Sequence, residues 1–169
     1  MTEFWIELAE NPAYRHLLLN HLPITGLAVS ACVLGWGVFE DRWASIGLGL
    51  VLCLLTSGSA IAVLQTGDAA YPQLFDQLDG HGQGWLDHHA FVAERWGRLL
   101  PANAALAAAA LAIGARRLAW RRRLGGLVLA TSVVALAGGV VVAEAGGKIR
   151  HVELRTSNPP VHDVPGRIR

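Results

Sequence analysis

Hydrophobic and polar positions along this chain fall into long blocks. Four stretches, Leu22–Phe39, Trp43–Gln65, Leu99–Ala115 and Leu124–Ala143, contain no Asp, Glu, Lys, Arg or His. Each approaches the about 17–25 residues that an α-helix needs to cross a bilayer. None alternates with period two, and backbone that must satisfy its own hydrogen bonds in lipid is then left with helices. The pattern predicts an all-α integral membrane protein, an antiparallel four-helix bundle with helices over 12–39, 43–66, 87–117 and 122–152. The bundle occupies residues 1–155, and 156–169 form an extended C-terminal tail, punctuated by Asn158-Pro159-Pro160 and Pro165-Gly166.

The segments between the blocks carry their own signals. Met1–Glu10 sets Glu3, Glu7 and Glu10 against Phe4, Trp5, Ile6 and Leu8. With no basic leader and no small-residue cleavage site, it reads as a short interfacial helix with Trp5 at headgroup depth. Asn11-Pro12 supplies a cap and an N1 proline for the first long helix. In the long connection 66–98, Tyr71, Leu74, Phe75 and Leu78 recur at helical spacing against Gln73, Asp76, Gln77 and Asp79, which predicts a short amphipathic helix on the membrane surface. Gly80, Gly82 and Gly84 should end it, Asp87 should cap the third long helix, and Pro101 should bend that helix near the interface.

Composition agrees with a membrane protein: 53% of residues are hydrophobic and the mean hydropathy is +0.38, values rare in a soluble domain of this size. The charges then give an orientation. Arg116, Arg117, Arg121, Arg122 and Arg123 crowd the connection between the third and fourth blocks, on the same side as Glu40-Asp41-Arg42. The positive-inside rule makes that side cytoplasmic. Both termini and the long connection then face the periplasm across a bacterial inner membrane. All seven histidines (His16, His21, His81, His88, His89, His151 and His162) fall on that outer side.

Imidazole at the mouth of an apolar run is costly unless something binds it. His16 and His21 are five residues apart, roughly 140° around a helix, so they face different neighbours and do not share one metal ion. Counting at about 1.5 Å per residue from the cytoplasmic ends puts His16, His89 and His151 in one layer, roughly 36–42 Å up. His21, Glu94 and Glu144 form a deeper layer, roughly 28–32 Å up by the same count. Neutral imidazole is the commonest ligand of haem and of many transition metals, so the upper layer is a candidate cofactor site. Its expected axial ligands are His16, His89 and His151, with His21 next and His88 as the alternate to His89. Arg15, Arg95, Arg98 and Arg150 are available for haem propionates, and Glu94 and Glu144 for hydrogen bonds that orient a ligand histidine. Lacking Cys-x-x-Cys-His, the chain would hold haem b, one or two copies. A non-haem Fe, Cu or Zn site built on His21, Glu94 and Glu144 is the alternative cofactor. Cys32 and Cys53 read as small apolar side chains in neighbouring helices, and no nucleophile elbow, P-loop or Rossmann glycine pattern occurs.

Four motifs carry a family resemblance. The run His16-x-x-x-x-His21-Leu-Pro-Ile, the segment Thr66-Gly67-Asp68-Ala69-Ala70, and His88-His89 with Glu94 are joined by Gly146-Gly147-Lys148-Ile149-Arg150-His151 closing the fourth helix. Together they resemble an uncharacterised prokaryotic four-helix membrane family with His-Pro-x-x-x-His-Phe-Pro-Ile and Thr-Gly-x-Ala-Glu signatures. Here Leu17 stands at the first proline position and Leu22 at the aromatic one. The histidine placement in that family is similar to that of small membrane b-type cytochromes. The expected function is therefore electron transfer by a membrane-bound b-type cytochrome, between quinol or a redox enzyme and a periplasmic c-type cytochrome. A structural or assembly subunit of a larger respiratory or photosynthetic complex is the alternative. The expected partners are the lipid bilayer and membrane redox subunits, with no nucleic acid.

Overall fold

Asn11 and Pro12 begin the first long helix as expected. In the computed structural model, which describes residues 2–162, the Asn11 side chain accepts from the backbone N–H groups of Ala13 at 3.0 Å and Tyr14 at 3.2 Å. These are two of the donors that a helix start leaves without partners. A short helix α1, Thr2–Glu10, precedes this cap and leaves Phe4, Trp5 and Ile6 exposed. Helix α2, Pro12–Leu19, gives way to a single π turn, Leu22–Gly26, and then to α3, Leu27–Glu40. The interruption has a covalent cause. Pro23 has no N–H, and its ring crowds the carbonyl four residues back, that of Leu19, where α2 stops. The wider turn absorbs the misfit.

Asp41, the one non-glycine residue with positive φ (54°) among those described, closes α3 and turns the chain directly into α4, Trp43–Gly58. Helix α5, Ala60–Gln77, continues α4 with Pro72 inside it. Then come α6, Gly80–Trp96, α7, Leu99–Arg116, and α8, Arg121–Arg150. These merge into four rods, Pro12–Glu40, Trp43–Gln77, Gly80–Arg116 and Leu118–Arg150, each long and apolar enough to cross a membrane. The described residues contain no strand.

Two local expectations are revised. The amphipathic stretch around Tyr71–Gln77 is the end of the second rod and not a separate surface helix. The third rod starts at Gly80, not near residue 87, because Asp79 is a better cap than the glycines are helix breakers. Its carboxylate accepts from the Gly82 N–H at 2.8 Å. The Gln83 side chain also donates to the carbonyls of Phe75 and Leu78, at 3.0 and 3.1 Å, and clamps the turn from the other side. Asp87 instead accepts the Tyr71 hydroxyl. Pro101 lies in the first turn of α7, where an amide donor is not needed, so the break falls before it, at Gly97-Arg98.

Each rod packs on the next. Helix α2 lies against α5 and α3 against α4, α4 against α7, α6 and α7 against α8, and α3 closes the ring on α8. The first and third rods are therefore diagonal. Leu27, Leu34, Ile46, Leu50, Cys53, Ala107, Val128 and Ala135 fill the centre. Outside, Trp36, Phe39, Leu55 and Val133 are more than half exposed, which suits a bilayer better than water. A polar knot crosses the middle. Asn103 donates to Ser57 at 3.0 Å and to Ser132 at 3.1 Å, and its carbonyl accepts from Thr131 at 2.7 Å. Such bonds tie helices together where the hydrophobic effect between them is weak.

A further regularity was not read from the sequence. One constant offset in numbering carries the buried residues Leu27, Ser30, Leu34 and Gly37 of α3 onto Leu100, Asn103, Ala107 and Ala110 of α7, all buried as well. A second offset carries Ile46, Gly49, Cys53 and Ala60 of the second rod onto Gly125, Val128, Ser132 and Gly139 of α8, again all buried. The two halves of the chain thus repeat one pattern of buried positions, each over a pair of rods.

Candidate functional site: two imidazoles in equivalent seats

The offset that relates α3 to α7 also carries His16 onto His89. Their surroundings match. From α2, the His16 Nδ1–H donates to the Val63 carbonyl of α5 at 2.9 Å, and from α6 the His89 Nδ1–H donates to the Val142 carbonyl of α8 at 3.0 Å. Each ring lies over a glycine one turn beyond its acceptor. A Cβ at Gly67 would come within 3.0 Å of the His16 ring, and one at Gly146 within 3.1 Å of the His89 ring. Glycine leaves room here, because a side chain would crowd the imidazole more closely than ordinary contact.

These bonds settle the tautomer. A carbonyl can only accept, so Nδ1 carries the proton in both rings, and the neutral imidazole then has its lone pair on Nε2. The diagonal placement brings the two rings to a centroid separation of 6.3 Å with an interplanar angle of 82°. A metal held between two imidazole nitrogens, at about 2.0–2.1 Å from each, sets ring centroids roughly 6 Å apart.

The other expected residues are placed differently. His151 does not join this pair: it is exposed and donates to Glu153 at 2.9 Å. It lies just past the end of α8, five residues beyond Gly146, so roughly 140° around the axis from the seat. The Glu153 carboxyl is held below its ordinary value by its own backbone N–H and by the His151 ring. Exposed His21 donates from Nδ1 to the Asn20 side chain. His88 turns away from the pair and shares a hydrogen bond with His162 of the tail at 2.8 Å, and the His162 ring stacks on Phe91 at 4.0 Å. Arg95, Arg98 and Arg150 are exposed, whereas Arg15 is half-buried beside His16.

Both acidic residues lie on outward faces, not in the buried layer expected from helix counting. Glu144 has a side chain 64% exposed and pairs with Lys148 at 2.6 Å. It stands two residues from both Val142 and Gly146, so roughly 200° around α8 from the seat. Glu94, five residues after His89 on α6, is exposed. Among the described residues, no three His, Cys, Asp or Glu side chains lie close enough together to hold a metal ion.

Two further side chains stand close to the pair in sequence. Trp85, one turn before His89, is 2% exposed, and its indole N–H has no partner among the described residues. Lys148 lies over its ring, with Nζ 4.9 Å from the centroid. The buried Arg15 Nε likewise has no partner. The glycine seats were missed in the sequence, although a signal exists: Val63-Leu-Gln-Thr-Gly67 and Val142-Ala-Glu-Ala-Gly146 share Val and Gly at one-turn spacing. No family model, curated protein or solved structure matches the chain.

Proposed function

We propose that this chain is a membrane-bound electron carrier of the b-type cytochrome kind, in which His16 and His89 hold one haem iron near one end of an antiparallel bundle. The observation that carries this reading is the pair of equivalent imidazoles, each with Nδ1–H anchored to a backbone carbonyl. Ligand histidines usually donate their second ring N–H in this way, which fixes ring orientation and raises basicity at the other nitrogen. Two imidazoles with centroids 6.3 Å apart suit a bis-histidine iron, whereas a non-haem Fe, Cu or Zn ion generally draws on more protein ligands. When bound, haem would supply one-electron chemistry. The chain's own part is to hold two half-buried imidazoles in place, each by a bond to a backbone carbonyl.

Orientation and partners follow the charges. With Arg116, Arg117, Arg121, Arg122 and Arg123 in the cytoplasm of a bacterium, the histidine end faces the periplasm together with both termini. Electrons would enter from quinol or a membrane redox enzyme and leave to a periplasmic c-type cytochrome. A second reading is favoured by the same hydrogen bonds: they cross-link the two rods of each hairpin, as a purely structural subunit of a larger membrane complex would need.

The absorption spectrum of the purified protein, titrated with haem, separates the two readings. Electron carriage predicts b-type bands that sharpen on reduction, equal loss of haem in His16→Ala and His89→Ala, and near-wild-type loading in His81→Ala and His151→Ala. If haem does not load, while both His16→Ala and His89→Ala lower thermal stability, the structural reading replaces it. A reporter fused after Arg169 should behave as periplasmic, and one inserted between Arg117 and Arg121 as cytoplasmic.

A further inference from the structure

Arg15 and Trp85 share an unusual state: each buries an N–H donor for which the described residues offer no acceptor. A buried donor without a partner loses its hydration and gains nothing in return, so native proteins seldom keep one without a reason. Both donors lie close to the histidine pair in sequence, Arg15 one residue before His16 and Trp85 one turn before His89. Each donor precedes its histidine in the chain, toward the start of its rod. The C-terminal tail packs near the start of the third rod, with Pro159 against Gly84. Lys148 adds positive charge over the indole, partly offset by Glu144.

We infer that Arg15 and Trp85 form an acid-binding rim on the outer side of the imidazole pair and anchor the carboxylate end of the ligand that those rings hold. This rests on the haem reading, in which the carboxylates are the propionates. An arginine N–H and an indole N–H can only donate, and a carboxylate can only accept, so the three match in type. Arg15 also contributes charge, which strengthens the bond it makes. Trp85 directs its share by position, since an indole held among packed side chains cannot turn to seek another acceptor.

The test uses the full-length protein in detergent and two probes: haem, and the same haem with both propionates converted to methyl esters. The ester keeps iron and ring but has lost the anionic oxygens. Wild-type protein should bind haem at least about tenfold more tightly than the ester, as expected when a charge-assisted bond is lost. Arg15→Leu and Trp85→Phe should each weaken haem binding and leave ester binding nearly unchanged, so that the preference shrinks. Phenylalanine keeps most of the buried ring and removes only the donor. His16→Ala should weaken both probes together. If wild-type protein binds the ester as tightly as haem, while His16→Ala loses both, the rim is overturned and the imidazole site stands. Should neither probe bind wild-type protein, the haem reading falls and the rim falls with it. The wild-type comparison needs no variant to fold.

Discussion

The histidine seats make a sharp prediction about two glycines. Alanine is favoured over glycine in a helix by about 0.8–1.0 kcal/mol, so Gly67→Ala and Gly146→Ala should stabilise their helices if nothing lies in the way. Something does. The new Cβ would sit 3.0 Å from the His16 ring, or 3.1 Å from the His89 ring, tighter than ordinary van der Waals contact. The ring cannot retreat without stretching its bond to the carbonyl one turn earlier. Loss of that bond costs about 1 kcal/mol, and overpacking costs about 1–3 kcal/mol. Set against the propensity gain, each substitution should destabilise by about 2 kcal/mol, or roughly 4–8 °C in Tm for a chain of this size. Gly126 on α8 is the control, because a Cβ there meets nothing within 4 Å; Gly126→Ala should raise Tm by a few degrees. The assay is thermal unfolding in detergent, followed by circular dichroism, with histidine ¹⁵N shifts reporting the tautomer. If Gly67→Ala and Gly146→Ala stabilise as much as Gly126→Ala, the rings are not seated on these glycines and the site is misassigned.

Two further outcomes follow from particular contacts. Asn103→Leu removes the centre of the polar knot and strips partners from Ser57, Thr131 and Ser132; it should cost about 1–3 kcal/mol, read as a lower denaturation midpoint, and an unchanged midpoint would count against the knot. Gly84→Ala would drive a Cβ to 2.6 Å from the Pro159 ring, which is too stiff to yield, so the tail must lift. Arg155, now bonded to the carbonyls of Lys148 and Ile149, should then be cut by trypsin several-fold faster than in wild type, and equal rates would mean the tail is held elsewhere.

Much of this architecture was legible in the sequence. The four charge-free blocks announce four long helices, because lipid leaves the backbone no other economical way to satisfy itself. Asn11-Pro12 marks a helix start through local chemistry alone. Helix counting also put His16 and His89 at one height, since rise per residue is nearly constant.

What the count could not supply was azimuth. Whether an imidazole faces a carbonyl, a glycine or open surface depends on where neighbouring rods pack, and a shift of two residues turns a side chain roughly 200°. That is why Glu144 lies outside, between two residues that form the seat, and why His151 misses the pair. The caps at Asp79 and the π turn at Pro23 were competitions between local signals, decided by which hydrogen bonds the folded rods could complete. The repeat was written in the sequence as Val63-x-x-x-Gly67 and Val142-x-x-x-Gly146, two of four places where that spacing occurs. Only the packed bundle, by setting each glycine under a histidine from the preceding rod, gave that spacing a physical meaning.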